Sequence, residues 1–191
     1  MAGTATSCWC ARGWSGRCTR IRLPGLEPRG ALVADLDLAA GPVRVVAAHL
    51  GLLRQSRLLQ IETLLHHARA ATDRPVVFMG DLNEWRRQGR SSLMHTQTVF
   101  GPLGHGVPSF PAYYPVLALD RVFVLPSGRV ESFAAHDSPL ARVASDHLPV
   151  KARVRLTAEP LATPRPTAAH PLPAPRPRLF ARRRSLEGPR P

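Results

Sequence analysis

The sequence has almost no lysine. Lys151 stands alone, and arginine supplies nearly all of the 26 basic residues. Abundant alanine, glycine and proline beside arginine indicate GC-rich coding DNA, so the formal charge of +13 partly reflects codon usage. Its functional counterpart is attraction to a polyanion, either nucleic acid or an anionic lipid surface. Long apolar runs are also missing. None reaches about 18 residues, so no spanning helix is expected. Residues 1–20 carry Arg12 and Arg17 but no apolar segment, which argues against a secretory signal and makes the cytoplasm the expected compartment. Cysteine is scarce. Cys8, Cys10 and Cys18 all lie near the start, and no fourth ligand has zinc-site spacing, His49 being far downstream.

What is present divides into three parts. Residues 1–20 show no usable periodicity. Residues 21–157 read as folded α/β. Residues 158–191 are rich in proline and arginine, including the run Arg182-Arg183-Arg184, and are expected to stay extended or disordered. In the middle part, Ala31–Leu38 and Val43–Leu50 read as paired strands around a Gly41-Pro42 turn. Arg54–Ala71 places Leu58, Ile61, Leu64, Leu65 and Ala68 at helical spacing. Pro75–Met79 is apolar throughout, as a buried central strand should be. A short helix is expected over Ser91–Val99, and further strands over Leu117–Leu125, Val130–Ala134 and Pro149–Leu156.

Polar clusters sit at the ends of these strands, where a sheet can present side chains while its backbone stays paired. His49 ends the run Val43–Ala48; an imidazole there can serve an oxyanion or a leaving group near neutral pH. Gly80-Asp81-Leu82-Asn83-Glu84-Trp85 follows the central strand. Asp81 and Asn83 lie two apart and face one side if extended, offering a carboxylate for metal or water and an amide for a phosphate oxygen. Trp85 beside them is expected in the core, with stacking on a substrate as the alternative. In Leu119-Asp120-Arg121-Val122-Phe123, the charged pair is either a salt bridge or a carboxylate that orients a histidine. In Ser145-Asp146-His147-Leu148-Pro149, Asp146 can reach a hard cation and His147 can act on water.

Taken in order, His-Leu, Gly-Asp-Leu-Asn, Leu-Asp-Arg-Val-Phe and Ser-Asp-His-Leu-Pro-Val resemble the endonuclease/exonuclease/phosphatase superfamily. Pro108-Ser109-Phe110-Pro111 is similar to the Thr-Phe-Pro segment of that family. The resemblance implies a DNase-like β-sandwich of α/β (α+β) class with flanking helices, hydrolysing phosphate esters with Mg²⁺ or Mn²⁺. It implies catalytic roles for His49, Asp81, Asn83, Asp120 and His147, and metal contacts from Asp146 and Asp81. The implied partner is a phosphate ester, such as nucleic acid or a phospholipid headgroup.

The family's first strand, ending in Asn, and its later Gln-Glu motif have no counterpart in this sequence. Only the C-terminal half of the domain is therefore expected, with a complementing N-terminal fragment as a partner. A shifted reading of DNA encoding Gly3–Ala11 can yield Tyr-Gly-Asn-Val-Leu-Leu-Val-Arg, a family-like segment, so residues 1–20 are read as out-of-frame. Two other functions follow from the same observations: an inactive remnant, and a basic module that binds nucleic acid.

Overall fold

The computed structural model describes residues 5–7, 15–71, 73–86, 91–100, 106–125 and 128–156. All fall in the compact unit Met1–Leu161; the second unit, Ala162–Pro191, and the tail expectation with it lie outside them. Six strands form one mixed sheet in chain order: β1 (Ala5–Ser7), β2 (Ser15–Leu23), β3 (Arg29–Leu38), β4 (Gly41–His49), β5 (Val76–Asp81) and β6 (Asp120–Leu125). Every pairing is antiparallel except β4–β5. A parallel pair needs a crossover, and helix α1 (Arg54–Arg69) supplies it. Helix α2 (Met94–Phe100) lies between β5 and β6 in the chain. A second sheet pairs β7 (Gly128–Ala135) with β8 (Val150–Leu156), and the short α3 (Ala141–Ala144) lies between them.

Strands β1 and the first part of β2 fall where no usable periodicity was expected, because Ala5–Ser7 pairs with Arg17–Thr19 and Ser15–Leu23 pairs residue for residue with Arg29–Asp37. The β3–β4 turn falls two residues early, at Ala39–Ala40, and Gly41 opens β4 with a φ of 115°. Leu117 lies outside β6 and forms an isolated bridge with Phe110.

The two faces of the large sheet differ. On one, Val33, Val46, Phe78 and Phe123 occupy a single register row. They pack with Ile61, Leu64, Leu65 and Ala68 of α1 into the main core. Phe100 of α2 closes a ring cluster with Phe78 and Phe123, centroids 5.5 to 5.9 Å apart. On the other face the equivalent row is Leu32, Ala47, Met79 and Val122. Leu32 and Met79 are exposed there. An open trough of about 580 Å³ separates this row from Val150 and Ala152 of β8.

The first two turns of α1 break the apolar pattern. Their buried side chains include Ser56, Arg57 and Gln60. Arg57 donates to the carbonyls of Gly51 (3.1 Å) and Leu52 (2.5 Å) and to Ser92 Oγ (3.1 Å), and it pairs with Glu84 at 3.4 Å. This pair ties the loop after β4 to the loop after β5.

Candidate active site

The strand ends build the site. His49 is the register partner of Asp81 across β4–β5, and Asp81 is the partner of Asp120 across β5–β6. Two positions along the same strands, before His49 and Asp81 and after Asp120, lie Ala47, Met79 and Val122, so the polar row extends the uncovered face to its edge. Gly80 allows this close approach: its φ is 136°, and a side chain there would run into the Ala48 carbonyl.

The loop before β8 brings His147 onto this row. Its Nδ1 lies 2.9 Å from Asp120 Oδ2, and its Nε2 lies 3.7 Å from Asp81 Oδ2. Asp120 Oδ2 also accepts from Ser109 Oγ at 2.5 Å. A carboxylate opposite Nδ1 places the proton there and leaves Nε2 facing Asp81. Phe110 packs against the ring, centroids 4.9 Å apart. The segment is fixed from both sides: Leu148 N donates to Ser109 O, and Ala112 N donates to Asp146 O. Asp120 is thus engaged by His147 and Ser109, while the adjacent Arg121 donates through Nη1 to the carbonyls of Ala118 and Asp120.

His49 is held differently. Its side chain is 56% exposed, against 21% for His147. Nε2 lies 3.1 Å from Arg29 Nη1 and 3.3 Å from Asp81 Oδ2. These contacts exclude one another chemically. Nε2 accepts from Arg29 only when unprotonated, and donates to Asp81 only when it carries a proton. His49 thus has a partner in either state.

Asn83 reaches the same cleft by a turn. Its backbone N–H donates to Asp81 Oδ1 at 2.9 Å, and its φ is 49°, the left-handed region that Asn tolerates. Its side-chain amide donates to Leu50 O at 2.8 Å, which takes up one of its two amide hydrogens. Trp85, expected in the core, is instead 46% exposed on the cleft wall.

A cleft of about 490 Å³ is lined by His49, Asp81, Asn83, Asp146 and His147, and Asp120 supports it from behind His147. Sequence reasoning missed Arg29 on the same wall, and the Ser109 hydroxyl on Asp120. Asp146 Oδ1 accepts from Ser145 Oγ at 3.2 Å. Among the described residues, no group of three or more His, Cys, Asp or Glu side chains is placed to hold a metal. Asp81 and Asp146 are the carboxylates that line the cleft, hard oxygen donors of the kind a divalent cation takes, and they do not make a closed protein cage.

In the buried Arg57–Glu84 pair, burial pushes the Glu84 carboxyl up, but the outcome is a pKa below the ordinary value. Ser92 donates to it twice, the Arg86 amide once, and Arg57 adds its charge. Burial draws Arg57 down, and Glu84 opposes that shift. The carboxylate has donors of its own, so its ionised form does not rest on Arg57 alone.

The family model described as "Endonuclease/Exonuclease/phosphatase family" matches residues 13–147. The chain belongs to that family. It is 30% identical over 146 residues to the uncharacterized protein YbhP of Escherichia coli K12, covering 71% of this chain and 56% of that protein. It therefore spans little more than half the length of the curated relatives it matches. Among solved structures, a functionally unknown conserved protein from Enterococcus faecalis V583 superposes with a TM-score of 0.60 at 20% identity, covering 73% of this chain and 66% of that one. D. rerio TDP2 complexed with a single-strand DNA product gives 0.55 at 18% identity, with coverages of 72% and 66%. The mixed sheet and its helices are thus a partial version of the family's fold. Among the described residues no helix is long and apolar enough to cross a membrane.

Proposed function

We propose that this chain carries a Mg²⁺-dependent phosphate-ester hydrolase site, in which a histidine clasped by a carboxylate activates water. The observation that carries this reading is the His147–Asp120 contact of 2.9 Å, set over Asp81 on the same cleft wall. Asp120 fixes His147 with Nε2 free to accept a proton. The 3.7 Å separation of Nε2 from Asp81 is too long for a direct hydrogen bond and suits a bridging water. Asp81, oriented by the Asn83 amide, and His147 aim that water at phosphorus. As Nε2 takes its proton, His49 is placed to protonate the departing oxygen, and Arg29 to neutralise phosphate charge. Asp81 and Asp146 would hold the Mg²⁺, which when bound supplies further charge neutralisation at the phosphate.

Hydrolysis of bis-p-nitrophenyl phosphate by the purified chain, with and without Mg²⁺ and beside His147→Ala, tests the reading. Turnover that needs Mg²⁺ and disappears in the variant supports it. A folded, soluble sample without turnover overturns it in favour of the second reading, an inactive remnant. That reading is favoured by the lack of a three-ligand cluster among the described residues. Such a remnant would retain cleft and phosphate contacts without chemistry.

A further inference from the structure

We infer that Trp85 forms a stacking subsite beside the reacting phosphate, and that the preferred ligand is a phosphate ester bearing a flat aromatic or heteroaromatic ring; this deepens the reading of the cleft proposed above. Trp85 lies on the cleft wall with Asp81, Asn83 and His147, yet almost half of it is exposed. A single exposed apolar side chain is ordinary. The support around this one is not. The guanidinium of Arg57, fully buried, lies 5.5 Å from the indole centroid. Arg57 is itself fixed by the Gly51 and Leu52 carbonyls, Ser92 and Glu84. The indole is therefore held in place without being buried. A group that docks on it has little side-chain ordering to provide.

The guanidinium of Arg86 also lies over the ring, at 4.8 Å, and Arg86 is exposed. A solvent-exposed cation–π contact is weaker than stacking of a nucleobase on an aromatic side chain. An entering ring can therefore replace Arg86 on the indole, and the long, flexible arginine is free to turn toward the phosphate. Leu52, 57% exposed, lines the same cleft and adds apolar surface for the ring. An aliphatic phosphate ester lacks the flat π-face that stacks on the indole.

Calorimetric titration of the whole chain in EDTA, which removes divalent metal, compares thymidine 5′-monophosphate with 2-deoxyribose 5-phosphate. The sugar phosphate carries an anomeric hydroxyl where the nucleotide carries its base. The inference predicts about tenfold tighter binding of the nucleotide. Trp85→Ala should abolish that preference, and Trp85→Phe, which keeps an aromatic face, should retain most of it. Equal affinity for both probes, a preference that survives in Trp85→Ala, or no binding of either at millimolar concentration would overturn it. The assay needs no turnover. A preference without hydrolysis would refute the proposed activity and leave the subsite standing, and hydrolysis without a preference would do the reverse.

Discussion

Two constellations in this molecule are made of the same parts. In one, Glu84 accepts from Ser92 and pairs with Arg57. In the other, Asp120 accepts from Ser109 and pairs with His147. Each is a carboxylate gripped by a serine hydroxyl and a nitrogen base. The first is sealed from solvent; the second opens onto a cleft. The first also uses arginine, which keeps its proton throughout any working range, whereas histidine exchanges its proton near neutrality. Sealing and a fixed charge give a structural staple. Access and a movable proton give a candidate catalyst. Burial and the choice of base, more than the hydrogen-bond pattern, separate the roles.

If that contrast is right, substitutions should separate turnover from stability. His147→Ala should lower kcat/KM for a phosphodiester by about 10³-fold or more while leaving the urea midpoint almost unchanged. Glu84→Gln should do the opposite: urea unfolding should show a loss of about 3–5 kcal/mol, because Arg57 is left buried without its counter-charge. The same variant carries a pH signature. Glu84 has its folded pKa below the ordinary glutamate value, so its contribution to stability is complete above that ordinary value and is lost as pH falls through the folded pKa. In Glu84→Gln the acid limb of the stability curve should flatten. Asp120→Asn should lower turnover by about 10²-fold, since an amide no longer dictates the proton on Nδ1. The smallest pair is the serines. Ser92→Ala should cost about 1–3 kcal/mol of stability, and Ser109→Ala should cost about tenfold in turnover with little change in unfolding. If Ser109→Ala instead destabilised the chain as Ser92→Ala does, both constellations would be structural.

The contrast also explains what the sequence disclosed. Strands were legible because their apolar residues announce themselves: Pro75–Met79 reads as a buried strand, and β5 runs over Val76–Asp81 with a partner on each side. The site residues were legible because they sit where those strands stop, so that register alone brings His49, Asp81 and Asp120 into line. The staple was not. Arg57 lies on the face of α1 that apolar periodicity marks as core, and a buried arginine looks like a surface one until its acceptors are known. Trp85 misled in the opposite direction. Its type suggests burial, but it follows directly on a loop held open by the Asn83 turn, and it remains on the cleft wall. Arg29 gave no signal, because its relation to His49 spans two strands.

In the proposed mechanism Asp120 acts only through His147. The most direct test is a double-mutant cycle: kcat/KM with Mg²⁺ for the parent chain, Asp120→Asn, His147→Ala and the double variant. If Asp120 works only by positioning that histidine, the double variant should be no slower than His147→Ala. If the two losses multiply instead, Asp120 acts independently and the claim is wrong.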